Sequence, residues 1–265
     1  MYKLGYIDKL EASFQERLSQ IFNLSHLPLN IINITSDSLG SISKSLEEIS
    51  GFNSSKIKIR NQVSSIRSIG KNKDIQRQFE VFNSQIVVLM VGALEAQFYD
   101  VVKAIGDHNP ELFNFESNGS KPKVITFEAT LLDERTSVGE IMRHYFKERD
   151  GDVNFQDIQS IVRFFSERLL CDLEIDDYRD VLIFATAARN VTVHNNQIID
   201  QRFLNQIRDT AYVDLEVEDE NGLKSKKYTT GRMLNISSND IGEIKEALLS
   251  LVSEVGVKIK GDYES

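Results

Sequence analysis

The sequence predicts a mainly α-helical fold, a helical bundle with an N-terminal helical extension and a small C-terminal β-hairpin. Three observations carry this. Apolar residues recur three and four apart along most of the chain. Only 3 of the 265 residues are proline, so long helices are permitted almost everywhere. The period falls to two only after residue 210, where Val213, Leu215 and Val217 alternate with Asp214, Glu216 and Glu218. Hydrophobic residues make up 41% of the chain, enough to form a core and to set disorder aside.

Residues 4–23 place Leu4, Ile7, Leu10, Phe14, Leu18 and Ile21 on one stripe, an amphipathic first helix. A loop is expected at Ser25-His26-Leu27-Pro28, and a shorter helix over 38–50. The segment 49–73 carries Lys56, Lys58, Arg60, Arg67, Lys71 and Lys73 and no acidic residue. It reads as a solvated linker or mobile loop, or functionally as an electrostatic arm for a phosphate backbone. The most apolar helix is expected over 76–106, with Phe82, Ile86, Leu89, Ala93, Ala96 and Val101 inward and Pro110 just past its end. Residues 111–136 are mixed and read as irregular. Ser137-Val138-Gly139-Glu140 has the pattern of a capping box and opens a helix to about Glu148, before Gly151. Further helices fit 155–170 and 176–194, the second closing at Asn195-Asn196, which tolerate the left-handed conformation. A short helix near 200–209 precedes the hairpin, whose turn is Asn221-Gly222 and whose return strand is 224–230. The last helix runs from 237–243 to about Val255, just before Gly256. The organisation is therefore a helical extension, 1–75, and a bundle domain, 76–265.

Composition excludes several classes. The single cysteine, Cys171, rules out an internal disulfide framework and a Cys-rich metal site, and fits a reducing cytoplasm. The first eight residues lack the apolar run of a secretory leader. The longest apolar run, 86–94, is too short to span a bilayer and reads as buried core. His26, His108 and His144 show no zinc spacing. Asp133-Glu134 and Asp176-Asp177 are adjacent pairs that diverge on a helix, so they read as solvated faces. No cofactor fingerprint stands out, so neither cofactor nor metal is expected.

Net charge is −9, which disfavours nucleic acid unless a local basic surface exists. Residues 1–75 carry 10 basic and 7 acidic side chains, whereas 76–265 carry 21 and 33. The N-terminal part is therefore the first place to look for such a surface.

One segment suggests chemistry: Arg189-Asn190-Val191-Thr192-Val193-His194, at the end of a long apolar helix. Cutting RNA without a metal requires a group to take the 2′-hydroxyl proton and a cation to stabilise the phosphorane. Imidazoles ionise near neutrality and suit the first role. A guanidinium matches phosphate oxygens with its planar fork and suits the second. The helix end lets His194 leave the helical path and turn toward Arg189. Asn190 suits RNA or the loop backbone equally. Thr192 reads as a helix-end residue, not a nucleophile. Alternatively Arg189 is a structural cation at a helix C-terminus and His194 a helix cap.

With Arg189, Asn190 and His194 in this Arg-Asn-x-x-x-His arrangement, the chain resembles the HEPN superfamily over roughly 76–256. Leu94-Glu95-Ala96-Gln97-Phe98-Tyr99 is similar to the family's early helix, and Gly231-Arg232-Met233-Leu234-Asn235-Ile236-Ser237 before the last helix is similar as well. The resemblance implies a bundle of four or more helices and a homodimer whose two motifs meet in one cleft. It implies a metal-independent endoribonuclease, cytoplasmic, of the toxin or antiphage-effector kind, with an antitoxin or sensor protein as a further partner. Glu95, on a helix beside the motif helix, is expected to pair with Arg189 and orient it. Lys56, Lys58, Arg60 and Arg67 are candidate RNA contacts. The competing reading is a non-catalytic HEPN module that binds RNA or a partner protein through the same face. The first helix is expected to pack on its own domain, against a role in dimerisation or sensing.

Overall fold

The computed structural model describes residues 4–47, 53–69, 72–113, 137–148, 154–218 and 224–264. Among them are eight α-helices: α1 (Gly5–Glu47), α2 (Asn53–Ile69), α3 (Lys73–His108), α4 (Val138–Glu148), α5 (Ile158–Arg168), α6 (Arg179–His194), α7 (Gln201–Gln206) and α8 (Ser238–Glu264). The fold is mainly helical, as composition and periodicity predict.

The core is built around α3. Ile86, Val87, Met90, Val91, Leu94, Phe98, Val102 and Ile105 are all buried, at the three-and-four spacing of a helix wrapped on several sides. Leu89 departs from the expected stripe and is 49% exposed. α1, α4, α6 and α8 all pack against α3. Phe98, Phe155, Phe164 and Phe165 form one aromatic cluster between α3, α5 and the loop before α5, three of its ring pairs edge-to-face and Phe98–Phe155 tilted, with centroids 5.0–5.7 Å apart. Leu4, Ile7, Phe14 and Leu18 belong to the same core, so the first half of α1 packs intramolecularly.

Two expected breaks do not occur. The loop at 25–28 is absent, because α1 continues through Pro28 for 43 residues in all. Proline only removes one amide and crowds the preceding turn. In the turn before Pro28, Ser25 Oγ donates to the Phe22 carbonyl at 2.6 Å. Nor does Gly256 end the last helix. A Cβ there would lie 3.1 Å from Glu11 Oε2 and 3.5 Å from Ile7 Cγ2, so this glycine admits the close approach of α1 to α8. Gly139 plays a similar part between α3 and α4, where a Cβ would run into the Lys103 carbonyl and the Asp107 carboxylate. Asp107 Oδ1 accepts from the Gly139 amide at 2.7 Å and Ser137 Oγ accepts from the Glu140 amide at 3.2 Å, which fixes the start of α4.

The basic segment is also not a loop. Over 53–69 it forms α2, which packs along α1. Of the irregular stretch expected over 111–136, only 111–113 is described, ending a 3-10 turn at Pro110–Leu112. Near the C-terminus, β1 (Glu216–Glu218) and β2 (Lys224–Lys226) pair antiparallel, Val217 opposite Ser225. The strands are much shorter than the alternation suggests, since 211–214 is turn. Asn221-Gly222 lies outside the described residues.

Candidate active site

α6 delivers the motif. Its apolar face, Leu182, Ile183, Phe184, Ala185, Ala187, Ala188 and Val191, is buried against the bundle. Arg189 and Asn190 are thereby left half-buried at its flank, and His194 exposed at its end. Thr192 stays in the helix, its Oγ1 donating to the Ala188 carbonyl at 2.7 Å. That bond suits a helix-end residue.

The turn after His194 is held from several directions. The Asn195 and Gln197 amides both donate to the Val191 carbonyl, at 3.0 and 3.1 Å. The left-handed residues are Asn196 and Gln197, one position later than expected. Asn195 Nδ2 donates to the Ile198 carbonyl at 2.6 Å. The segment after the strand pair then runs antiparallel along this turn. Leu234 N donates to Gln197 O at 2.7 Å and Ile199 N to Arg232 O at 2.9 Å. Gly231, at φ +84°, makes the bend that starts this pairing, where glycine avoids the steric cost of a side chain. Asn83 of α3 ties in the far end, its Nδ2 donating to the Ile236 carbonyl at 2.8 Å. The 231–237 segment thus acts as a brace for the loop that closes α6.

In this setting Arg189 Nη1 donates to Asn190 Oδ1 at 3.0 Å and lies 3.5 Å from His194 Nε2. The three residues share a cleft of about 420 Å³ between α5, α6 and α7. All ten residues lining it are polar, and the only carboxylate among them, Asp157, caps α5 by accepting from the Ser160 amide at 2.9 Å. The chemistry available is general acid or base from an imidazole and anion binding by a guanidinium. No group of histidine, cysteine and acidic side chains that could hold a metal occurs among the described residues.

Glu95 is brought near but not where expected. Its Oε2 accepts from Gln156 Nε2 at 2.7 Å, and no ion pair joins it to Arg189. Gln156 itself lines the cleft, so Glu95 is linked to the cleft lining through an amide. Gln156, in the loop before α5, is the donor at the carboxylate that the sequence assigned to Arg189. Of the basic arm, the described side chains Lys58 and Arg60 are exposed on α2, which packs on α1, and neither lines the cleft. The side chains of Lys56 and Arg67 lie outside the described ones. Seven of the ten lining residues were not singled out by the sequence, Gln156, Arg163 and Arg202 among them. Arg202 alone had a hint, being eight positions past His194 in the helix that follows the motif.

Cys171 is fully buried, as a small core residue. His108 stacks on Tyr6 with centroids 4.7 Å apart, and His26 meets Phe22 edge-on at 4.9 Å, so both are structural. α3 is the one described helix long and apolar enough to cross a membrane, and 61% of its apolar window is buried in the bundle. No protein-family model, curated protein or solved structure matches the chain.

Proposed function

We propose that this protein is a metal-independent endoribonuclease of HEPN type. The observation that carries the reading is the 3.5 Å approach of Arg189 Nη1 to His194 Nε2 in a polar cleft with Asn190 beside them. The 2′-hydroxyl oxygen attacks the adjacent phosphorus as His194 takes its proton. The P–O5′ bond breaks, and the 5′-oxygen leaves with a proton from an imidazolium. Arg189 holds the non-bridging oxygens as charge builds on them. The products are a 2′,3′-cyclic phosphate and a 5′-hydroxyl.

A homodimer fits this chemistry, because a second imidazole supplies the acid while the first serves as base. Its support is an exposed stripe on α3 at Val81, Gln85, Leu89 and Gly92, with exposed Val193 on the neighbouring α6, one residue from His194. Such apolar exposure beside the motif suits a second copy. A toxin or antiphage role in the cytoplasm, under an antitoxin or sensor, follows from the family resemblance.

The alternative is a non-catalytic module that binds a partner protein. One feature favours a partner surface: Leu24, Leu27, Ile31 and Ile34 form an exposed stripe on the distal half of α1. The test is cleavage of total cellular RNA by purified protein in excess EDTA, with His194→Ala alongside. The expected result is cutting by the wild type alone, leaving cyclic-phosphate ends. Equal cutting by His194→Ala would remove the assignment, and no cutting by either, at any dimer concentration, would favour the binding module.

A further inference from the structure

The polar cleft shares lining residues with neighbouring hollows. Toward α7 it opens into a hollow of about 90 Å³ that shares Asn190, His194, Arg202 and Gln206 with it. Along α5 it meets a hollow of about 520 Å³ at Arg163, and through Asp157 and Gln206 a third of about 300 Å³. Arg202 lines both the motif cleft and the hollow toward α7, Arg163 lines both the cleft and the hollow along α5, and Arg189 lines the motif cleft. Arg202 forms no ion pair among the described residues. Asp157, the one acid in the cleft, is committed to its capping bond. A chain of net charge −9 thus concentrates three guanidiniums on one polar surface.

We propose that Arg163 and Arg202 hold the phosphates on either side of the scissile one, so that the cleft binds a single RNA strand by its sugar–phosphate backbone. Three observations support this. Guanidiniums pair with phosphate oxygens in a fixed planar fork. No aromatic or aliphatic side chain lines the motif cleft, so bases find no stacking platform there. The cleft shares lining residues with a hollow along α5 and another toward α7, which suits a strand that runs past the motif better than a mononucleotide. The inference rests on the ribonuclease reading for the identity of the strand, and it moves RNA binding away from Lys58 and Arg60 on α2.

The test uses a fluorescein-labelled 2′-O-methyl oligouridylate, which lacks the attacking hydroxyl, and reads anisotropy over a salt series. Each phosphate neutralised on a single strand contributes about −0.7 to the slope of log K against log salt, so three arginines give a slope of about −2. Arg163→Ala and Arg202→Ala are each expected to weaken binding about tenfold at low salt and to flatten the slope by about 0.7. Arg163→Lys and Arg202→Lys are expected to restore the slope but only part of the affinity. Both positions are exposed, and unchanged thermal melting of each variant secures the comparison. Lys58→Ala with Arg60→Ala is expected to stay within twofold of wild type. Wild-type affinity and slope in the Arg163→Ala, Arg202→Ala double variant would overturn the proposal, as would absence of binding by the wild type at low salt. Retained arginine dependence with His194-independent cutting would leave the cleft assignment standing while the catalytic reading fell. The reverse pattern would leave the catalytic reading standing alone.

Discussion

The α1–α2 region and the α5–α7 cleft have opposite characters in sequence and in space. The first carries the chain's basic excess, yet Lys58 and Arg60 sit on a helix that packs on α1, and neither lines the motif cleft. The second lies in the strongly acidic part of the chain, yet it gathers Arg163, Arg189 and Arg202 on one polar surface. The lesson is that charge summed along a chain says little about charge at a site. Packing sends acids outward or commits them to helix caps, as with Asp157 and Asp200, whose carboxylates accept from the Ser160 and Phe203 amides. The arginines are then left to dominate what faces the cleft.

The sharpest way to break this contrast is at the motif itself. Arg189→Ala is expected to lower RNA cleavage by about 10³-fold or more, equivalent to about 4 kcal/mol of barrier, while the melting temperature stays put. A stability loss of matching size would instead mark Arg189 as a structural cation. Next is the division within α1. Phe14→Ala, in the fully buried half, is expected to cost about 3–5 kcal/mol in denaturant unfolding. Ile34→Ala, in the exposed half, is expected to change stability by no more than about 0.5 kcal/mol. Equal losses would mean that the distal half is covered in the folded protein.

A smaller effect is expected where α4 docks. Gly139→Ala would push a Cβ against the Lys103 carbonyl and is expected to cost about 1–3 kcal/mol, read by the same unfolding experiment. The smallest concerns pH. Burial pushes the Asp107 carboxyl up, but hydrogen bonds from Lys103, Ser137 and the Gly139 amide outweigh it and hold the group below the usual carboxylate range. A lowered carboxylate contributes stability above its unfolded value, and that contribution is lost as pH falls through the folded one. Asp107→Asn is therefore expected to melt lower than wild type near neutrality, and the gap is expected to close as pH falls below about 4. Parallel curves would show that the charge on Asp107 carries no net weight.

Several parts of this architecture were legible from residues alone. Regular three-and-four spacing marked α3, α5 and α6, because a helix buried on one face must repeat with its own turn. Ser137 announced the start of α4, since free amides at a helix start need an acceptor. The basic segment misled as a loop, because serine and asparagine have weak helix propensity and neighbouring α1 overrides it. Pro28 and Gly256 misled as breaks for the same reason: each disfavours a helix locally by an amount that packing outweighs. Glu95 is bonded by Gln156, an uncharged residue in the loop before α5 that no spacing or motif in the sequence links to it.

By itself, then, the sequence determined a helical chain with a core helix at α3 and an Arg-Asn-x-x-x-His set at a helix end. Those features depend on residues within a few turns of one another, whose spacing is the signal. Only the tertiary structure decided which face of α6 stays open, that 231–237 braces the loop after His194, and that Arg163 and Arg202 meet the motif in one cleft. These are long-range encounters, fixed by the packing of α5, α6 and α7 on a shared core, and no local pattern encodes them.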